Sequence, residues 1–91
     1  MFLVESYVPG FDLQAAATLS SRLRAAIRQL TEEGTTLCWG GSFALVDDET
    51  YICIIGASKV DHVVQLSERA GFEPDHVAEA FAIDAPATQD R

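Results

Sequence analysis

Five side chains have the type and setting from which a site could be built: Glu5, Tyr7, Trp39, Ser42 and Cys53. Glu5 and Tyr7 alternate with Val4 and Ser6 in an extended stretch, so they share one face of a strand. A carboxylate shielded from water has a raised pKa unless a donor meets it, and such a group works as a general acid or base. Tyr7 beside it would supply a hydrogen-bond donor. Trp39 and Ser42 flank Gly40-Gly41 and bring an indole and a hydroxyl to a bulge, where they could line a pocket. Cys53 stands between Ile52 and Ile54. Each has a plainer reading. Glu5 could lie at a wet sheet edge, and Trp39 could be a core or interface aromatic with a satisfied N–H. Cys53 has no basic neighbour in sequence to hold a thiolate, which points to an inert buried thiol. No histidine is placed to activate Ser42, and there is no Gly-x-Ser-x-Gly elbow.

Metal chemistry needs clustered donors. His62 and His76 stand apart, each accompanied at short spacing only by carboxylates such as Glu79. Cys-x-x-Cys and His-x-x-x-His are absent, so a transition metal would have to be held by residues from distant elements or across a dimer.

The elements that must position these residues follow from the pattern. Residues 2–8 read as a strand with apolar side chains on both faces, stopped by Pro9-Gly10. Asp12 caps a helix over 12–33, where Leu13, Ala16, Leu19 or Ser20, Leu23, Ile27 and Leu30 recur at helical spacing before Gly34. Residues 35–46 form a second strand with Gly40-Gly41 as a bulge. Asp47-Asp48-Glu49 turns the chain into a third strand, 50–57, closing a hairpin. A turn centred on Asp48-Glu49 pairs Val46 with Tyr51 and Ala44 with Cys53. Cys38 then lies about six residues, or ~20 Å, from the partner of Cys53, too far for a disulfide. Ser58 caps a second helix with a stripe of Val60, Val63, Val64, Ser67 and Ala70, stopped by Gly71-Phe72. Residues 77–83 give the last strand. One domain spans 1–84, and 85–91 form a disordered tail.

The order β-α-β-β-α-β predicts an α+β ferredoxin-like sandwich, a four-stranded antiparallel sheet with both helices on one face. That leaves one sheet face bare, while the first three strands are apolar on both sides. Such a patch is too large for a soluble monomer, so a homodimer packed sheet to sheet is expected.

Composition narrows the function. The 91 residues are 48% apolar and carry 6 basic and 14 acidic side chains, a net charge of −8. That charge repels nucleic acid and anionic membranes. An RNA-recognition sheet would need basic and aromatic residues where this third strand reads TYICIIGA. A heavy-metal carrier would need Cys-x-x-Cys where Pro9-Gly10-Phe11-Asp12 stands. No apolar run approaches the roughly 20 residues of a membrane span, and Met1-Phe2-Leu3-Val4-Glu5 lacks the basic flank of a signal peptide. A cytoplasmic protein is the expectation.

Glu5-x-x-x-Pro9-Gly10, Trp39-x-x-Ser42, Asp48-x-x-x-x-Cys53 and Arg69-Ala70-Gly71-Phe72 with Pro74-Asp75-x-Val77 occur in order along nearly the whole chain. Together they resemble a family of small ferredoxin-like bacterial proteins, one branch of which binds nickel. The resemblance implies a ferredoxin-like dimer and metal or small-ligand binding. The chain departs from that pattern at Ile55, where many relatives carry tyrosine, and at Leu66, where many carry histidine. Both replacements are aliphatic and imply a drier cleft. The leading expectation is a dimeric binding domain for a small molecule or a nickel-type metal ion, with Glu5, Tyr7, Trp39, Ser42 and Cys53 lining the cleft. The alternatives are a cofactor-free enzyme of the dimeric α+β barrel type, with Glu5 as acid or base, and a protein-interaction domain.

Overall fold

Asp12 opens the first helix as expected. Its backbone is extended (φ −138°, ψ 178°) and its carboxylate accepts from the Ala15 N–H at 2.8 Å. In a computed structural model, which describes residues 1–84, the elements run β1 (Phe2–Tyr7), α1 (Leu13–Glu32), β2 (Cys38–Leu45), a single 3-10 turn (Val46–Asp48), β3 (Thr50–Gly56), α2 (Val60–Ala70) and β4 (His76–Glu79). The expected tail, 85–91, lies outside the described residues.

The four strands form one antiparallel sheet in the order β2-β3-β1-β4. This is the α+β ferredoxin-like arrangement, with β1 and β3 central. Alternation sets the core. Phe2, Val4 and Ser6 of β1 and Tyr51, Cys53 and Ile55 of β3 are buried. All but Ser6 meet Ala16, Leu23, Ala26, Ile27 and Leu30 of α1 and Val63 and Leu66 of α2 in one cluster. Leu13 departs from the expected stripe and is 68% exposed, because it is the first residue of α1 and the helix's inward packing begins at Ala16.

The hairpin differs from the expected one. Ala44 pairs with Tyr51 and Ser42 with Cys53. Val46–Asp48 leave the strand as a 3-10 turn, and Glu49 closes it in the left-handed region (φ 49°). The shift is two residues, so every side chain keeps its face. Cys38 lies opposite Gly56, three residues past Cys53 on β3. That is about 10 Å along the strand and on the other face, and both thiols are free. The bulge falls between Trp39 and Ser42. Gly40 is required there, because a Cβ would lie 2.9 Å from the Ile54 side chain and 3.0 Å from its carbonyl oxygen.

The second helix starts at Val60, with Lys59 as N-cap and no side-chain cap, so Ser58 does not serve as one. Its hydroxyl lies 3.5 Å from His62 Nδ1 instead. The end is strongly fixed. Gly71 is left-handed (φ 67°), and the Phe72 N–H donates to Ser67 at 2.9 Å. The Arg22 guanidinium from α1 donates to the Ala70 and Gly71 carbonyls, tying the two helices together. The last strand stops at Glu79 rather than residue 83. Its partner β1 begins at Phe2, opposite Glu79, and among the described residues the pairing ends one bond later, where the Ala80 N–H donates to the Met1 carbonyl at 2.9 Å.

Leu23 is 1% exposed, so Leu23→Ala should cost about 3 kcal/mol of stability by lost transfer and cavity terms. Leu13→Ala should stay within about 0.5 kcal/mol, as surface changes do. Urea unfolding of the two variants checks the assignment, and comparable losses would contradict it.

Candidate functional site

The sheet has two faces, and the five singled-out residues divide between them. Trp39, Ser42 and Cys53 point toward the helices. Glu5 and Tyr7 point away, on the face no helix covers. They do not form one cleft.

The helix-facing three are committed to packing. Ser42 Oγ shares a hydrogen bond with Ser20 Oγ at 2.9 Å, and Ser20 Oγ with the Tyr51 hydroxyl at 2.7 Å. This chain of hydroxyls joins β2, α1 and β3. Tyr51 is completely buried, and that burial raises its pKa. Cys53 is 1% exposed, and burial pushes its thiol up to about 12. Trp39 is half-buried against the core, with the Arg24 guanidinium 5.9 Å from its ring centroid, in cation–π range. Ile55 and Leu66 are each 1% exposed and lie on this same side. The aliphatic residues at those two positions therefore fill the core rather than dry the face that carries Glu5.

The open face is built around Glu5. It lies directly opposite Ile52 of β3 on one side and His76 of β4 on the other. Leu3 stands opposite Ile54 and Ala78, and Phe43 continues the row beyond Ile52. A carboxylate and an imidazole thus occupy neighbouring positions, with Cβ atoms about 5 Å apart by cross-strand geometry, next to the apolar Leu3, Ile52, Ile54 and Ala78. The sequence reading left His76 isolated, since 71 positions separate it from Glu5. Only the β1–β4 register joins them. Period-two alternation was the available signal, but it could not supply that register.

Tyr7 is on the same face at the end of β1 and is 57% exposed. Its hydroxyl donates to Glu49 Oε1 at 3.1 Å, and that bond, with the nearby negative charge, holds its pKa above the ordinary value. The other Glu49 oxygen accepts from the Gly10 N–H, and the Glu49 carbonyl accepts from the Val8 N–H at 2.8 Å. Glu49 thereby clamps the β1–α1 loop to the hairpin. Asp75 performs the same service at β4, accepting from the Tyr7 N–H at 2.6 Å and donating its own N–H to the Glu5 carbonyl at 2.8 Å.

Among the described residues no group of three or more histidine, cysteine, aspartate or glutamate side chains could hold a metal ion. Glu5 and His76 supply two donors, which do not complete a site within one chain. Sequence reasoning also missed a cleft of about 510 Å³ on the helix side. Phe11, Leu19 and Phe72 are among its apolar lining, with Arg22, Glu73 and the buried Ser6 among its polar groups. Among the described residues no helix is long and apolar enough to cross a membrane.

No family model and no curated protein matches the chain. The crystal structure of SCO4226 from Streptomyces coelicolor A3(2) is similar over 87% of this chain and 93% of that one, with a TM-score of 0.71 and 18% identity. The likeness establishes the α+β fold.

Two measurements check this placement. At pH 8 a thiol reagent should modify one cysteine per folded chain, the exposed Cys38, and reach Cys53 only on unfolding; rapid reaction of both would contradict the burial. Glu49→Ala should move one tyrosine titration downward toward pH 10 in an ultraviolet difference titration, because the carboxylate that holds Tyr7 protonated is gone.

Proposed function

We propose that this chain is a dimeric binding domain in which two open sheet faces pack together and hold a small ligand, or a transition-metal ion of the nickel type, at Glu5. The observation that carries this reading is the Glu5–His76 pair set in the middle of an uncovered apolar face. Leu3, Ile52, Ile54 and Phe43 are the kind of surface that a protein of this size shelters from water. A carboxylate among them is stabilised only if a cation, a donor or a ligand meets it.

The two-donor shortfall of one chain supports a shared site. A two-fold axis near Glu5 brings two carboxylates and two imidazoles to one place, four nitrogen and oxygen donors, the number a four-coordinate transition-metal site takes. Such a metal would be held by Glu5 and His76 of each copy, and the surrounding side chains would exclude water. A small cationic or hydrogen-bonding molecule would use the same groups. The enzyme alternative asks Tyr7 to offer its hydroxyl to a substrate, and here that hydroxyl donates to Glu49.

Sedimentation and calorimetric titration test the reading. Ile52→Asp places a charge in the face and should weaken self-association at least tenfold. Nickel, zinc or copper should bind more tightly than ~0.1 mM, about −5.5 kcal/mol, and Glu5→Gln should weaken the metal at least tenfold. A wild-type monomer at several hundred micromolar, or an Ile52→Asp variant that associates as before, would end the sheet-face reading. Loss of metal binding alone would leave the small-molecule form.

A further inference from the structure

The sheet has an edge as well as a face. β4 pairs with β1 on one side and has no strand on the other among the described residues. Its outward peptide groups form a row open to a further strand. Beside that edge runs an apolar groove of about 290 Å³, whose lining includes Val60, Val64, Pro74 and Val77. Val60 and Val64 are 45% and 49% exposed, although they belong to the stripe expected to be buried on α2. Just after β4, Phe81 and Ile83 are 76% and 98% exposed. A groove lacking an occupant and an apolar segment lacking a groove thus lie on one element.

We infer that β4 is a second self-association seam, in which β4 of another copy adds antiparallel to this edge and each Phe81 enters the groove of the other. The register follows from alternation. Val77 and Glu79 point to the helix side, whereas His76 and Ala78 point to the open face. Residues directly opposite across an antiparallel pair share a face, so odd-numbered positions must meet odd-numbered ones. Of the registers that satisfy this, two are centred in the middle of β4. One, centred on Val77, sets Glu79 directly opposite Asp75 of the partner subunit, two like charges. The other, centred on Ala78, sets Glu79 opposite Val77 of the partner subunit and opposes no carboxylates. It also brings Phe81 opposite Asp75 of the partner subunit and diagonal to its Val77, at the groove. The two-fold symmetry lets both arms dock at once and closes the assembly. Pairing stops at the bends of Ile83 and Asp84. This seam uses the edge and the α2 side of the sheet, so it is independent of the proposed sheet-face contact.

Sedimentation of the intact chain, with amide hydrogen exchange, separates the two. Phe81→Ser should leave the circular dichroism and the unfolding midpoint of dilute, dissociated protein unchanged, since Phe81 is 76% exposed in a single chain, and should weaken self-association at least tenfold. The Val77 and Glu79 amides should exchange slowly in concentrated wild-type protein and in Ile52→Asp, and at least tenfold faster in Phe81→Ser. Unchanged association of Phe81→Ser, a wild-type monomer, or fast exchange at both amides in concentrated wild-type protein would overturn the seam. If Ile52→Asp alone abolishes association, the edge proposal falls and the face reading stands. If Phe81→Ser alone does so, the reverse holds.

Discussion

The fully buried ring of Tyr51 is the constraint on which the rest of the structure turns. Phe11 and Phe72 meet it edge-on, at centroid distances of 6.2 and 6.0 Å. Its hydroxyl reaches Ser20 and, through it, Ser42. A phenolic oxygen buried without a partner costs several kcal/mol, at least ~2, so α1 must stand where Ser20 can serve it. The loop after β1 and the turn after α2 must each deliver a phenylalanine. One side chain therefore fixes the axial position of α1, the bulged half of β2 and the two loops at that end of the sheet.

The same residue decides what the other face carries. With Tyr51 turned toward the helices, Cys53 and Ile55 follow it, and Thr50, Ile52 and Ile54 are left on the open side. Antiparallel pairing then puts Glu5 beside Ile52 and His76 beside Glu5. The polar groups facing the helices are used up internally: among the described residues no buried side-chain nitrogen or oxygen lacks a partner. The open face has the opposite character. Its carboxylate and imidazole project from a sheet side with no helix over it, and its aliphatic neighbours have only one another. The face packed under the helices and the face left open are separated by one strand thickness.

The loops at the C-terminal end of β1 are held by carboxylates rather than by apolar packing. Glu49 and Asp75 accept four N–H or O–H groups contributed by Tyr7, Gly10 and the adjacent backbone, if the Glu49 carbonyl is included. Part of the net charge of −8 is thus structural. Glu49 accepts a left-handed backbone to do this, a conformation that costs a non-glycine residue of the order of 1 kcal/mol. The 3-10 turn it closes moves the β2–β3 pairing by two positions from the simplest hairpin.

The element order, the cap at Asp12, the stops at Gly34 and Gly71, the bulge at Gly40-Gly41 and the inward Ala16, Leu23, Ile27 and Leu30 of α1 were determined by the sequence alone. Each rests on a local rule, a side chain that fits one backbone conformation or one periodicity. The division of β1 into two faces, with Glu5 and Tyr7 on one of them, was equally legible, because alternation needs no partner. What only the tertiary structure decided was pairing. The two-residue shift at the hairpin, the early end of β4 and the exposure of Leu13, Val60 and Val64 all depend on which element lies alongside. So does the fate of the candidate site. Trp39, Ser42 and Cys53 have the chemistry of a cleft, but the β2–β3 register turns them inward. His76 has no local motif, but the β1–β4 register sets it against Glu5. A strand's period tells which residues share its face, and contact with a second strand or a helix is required to say which face that is.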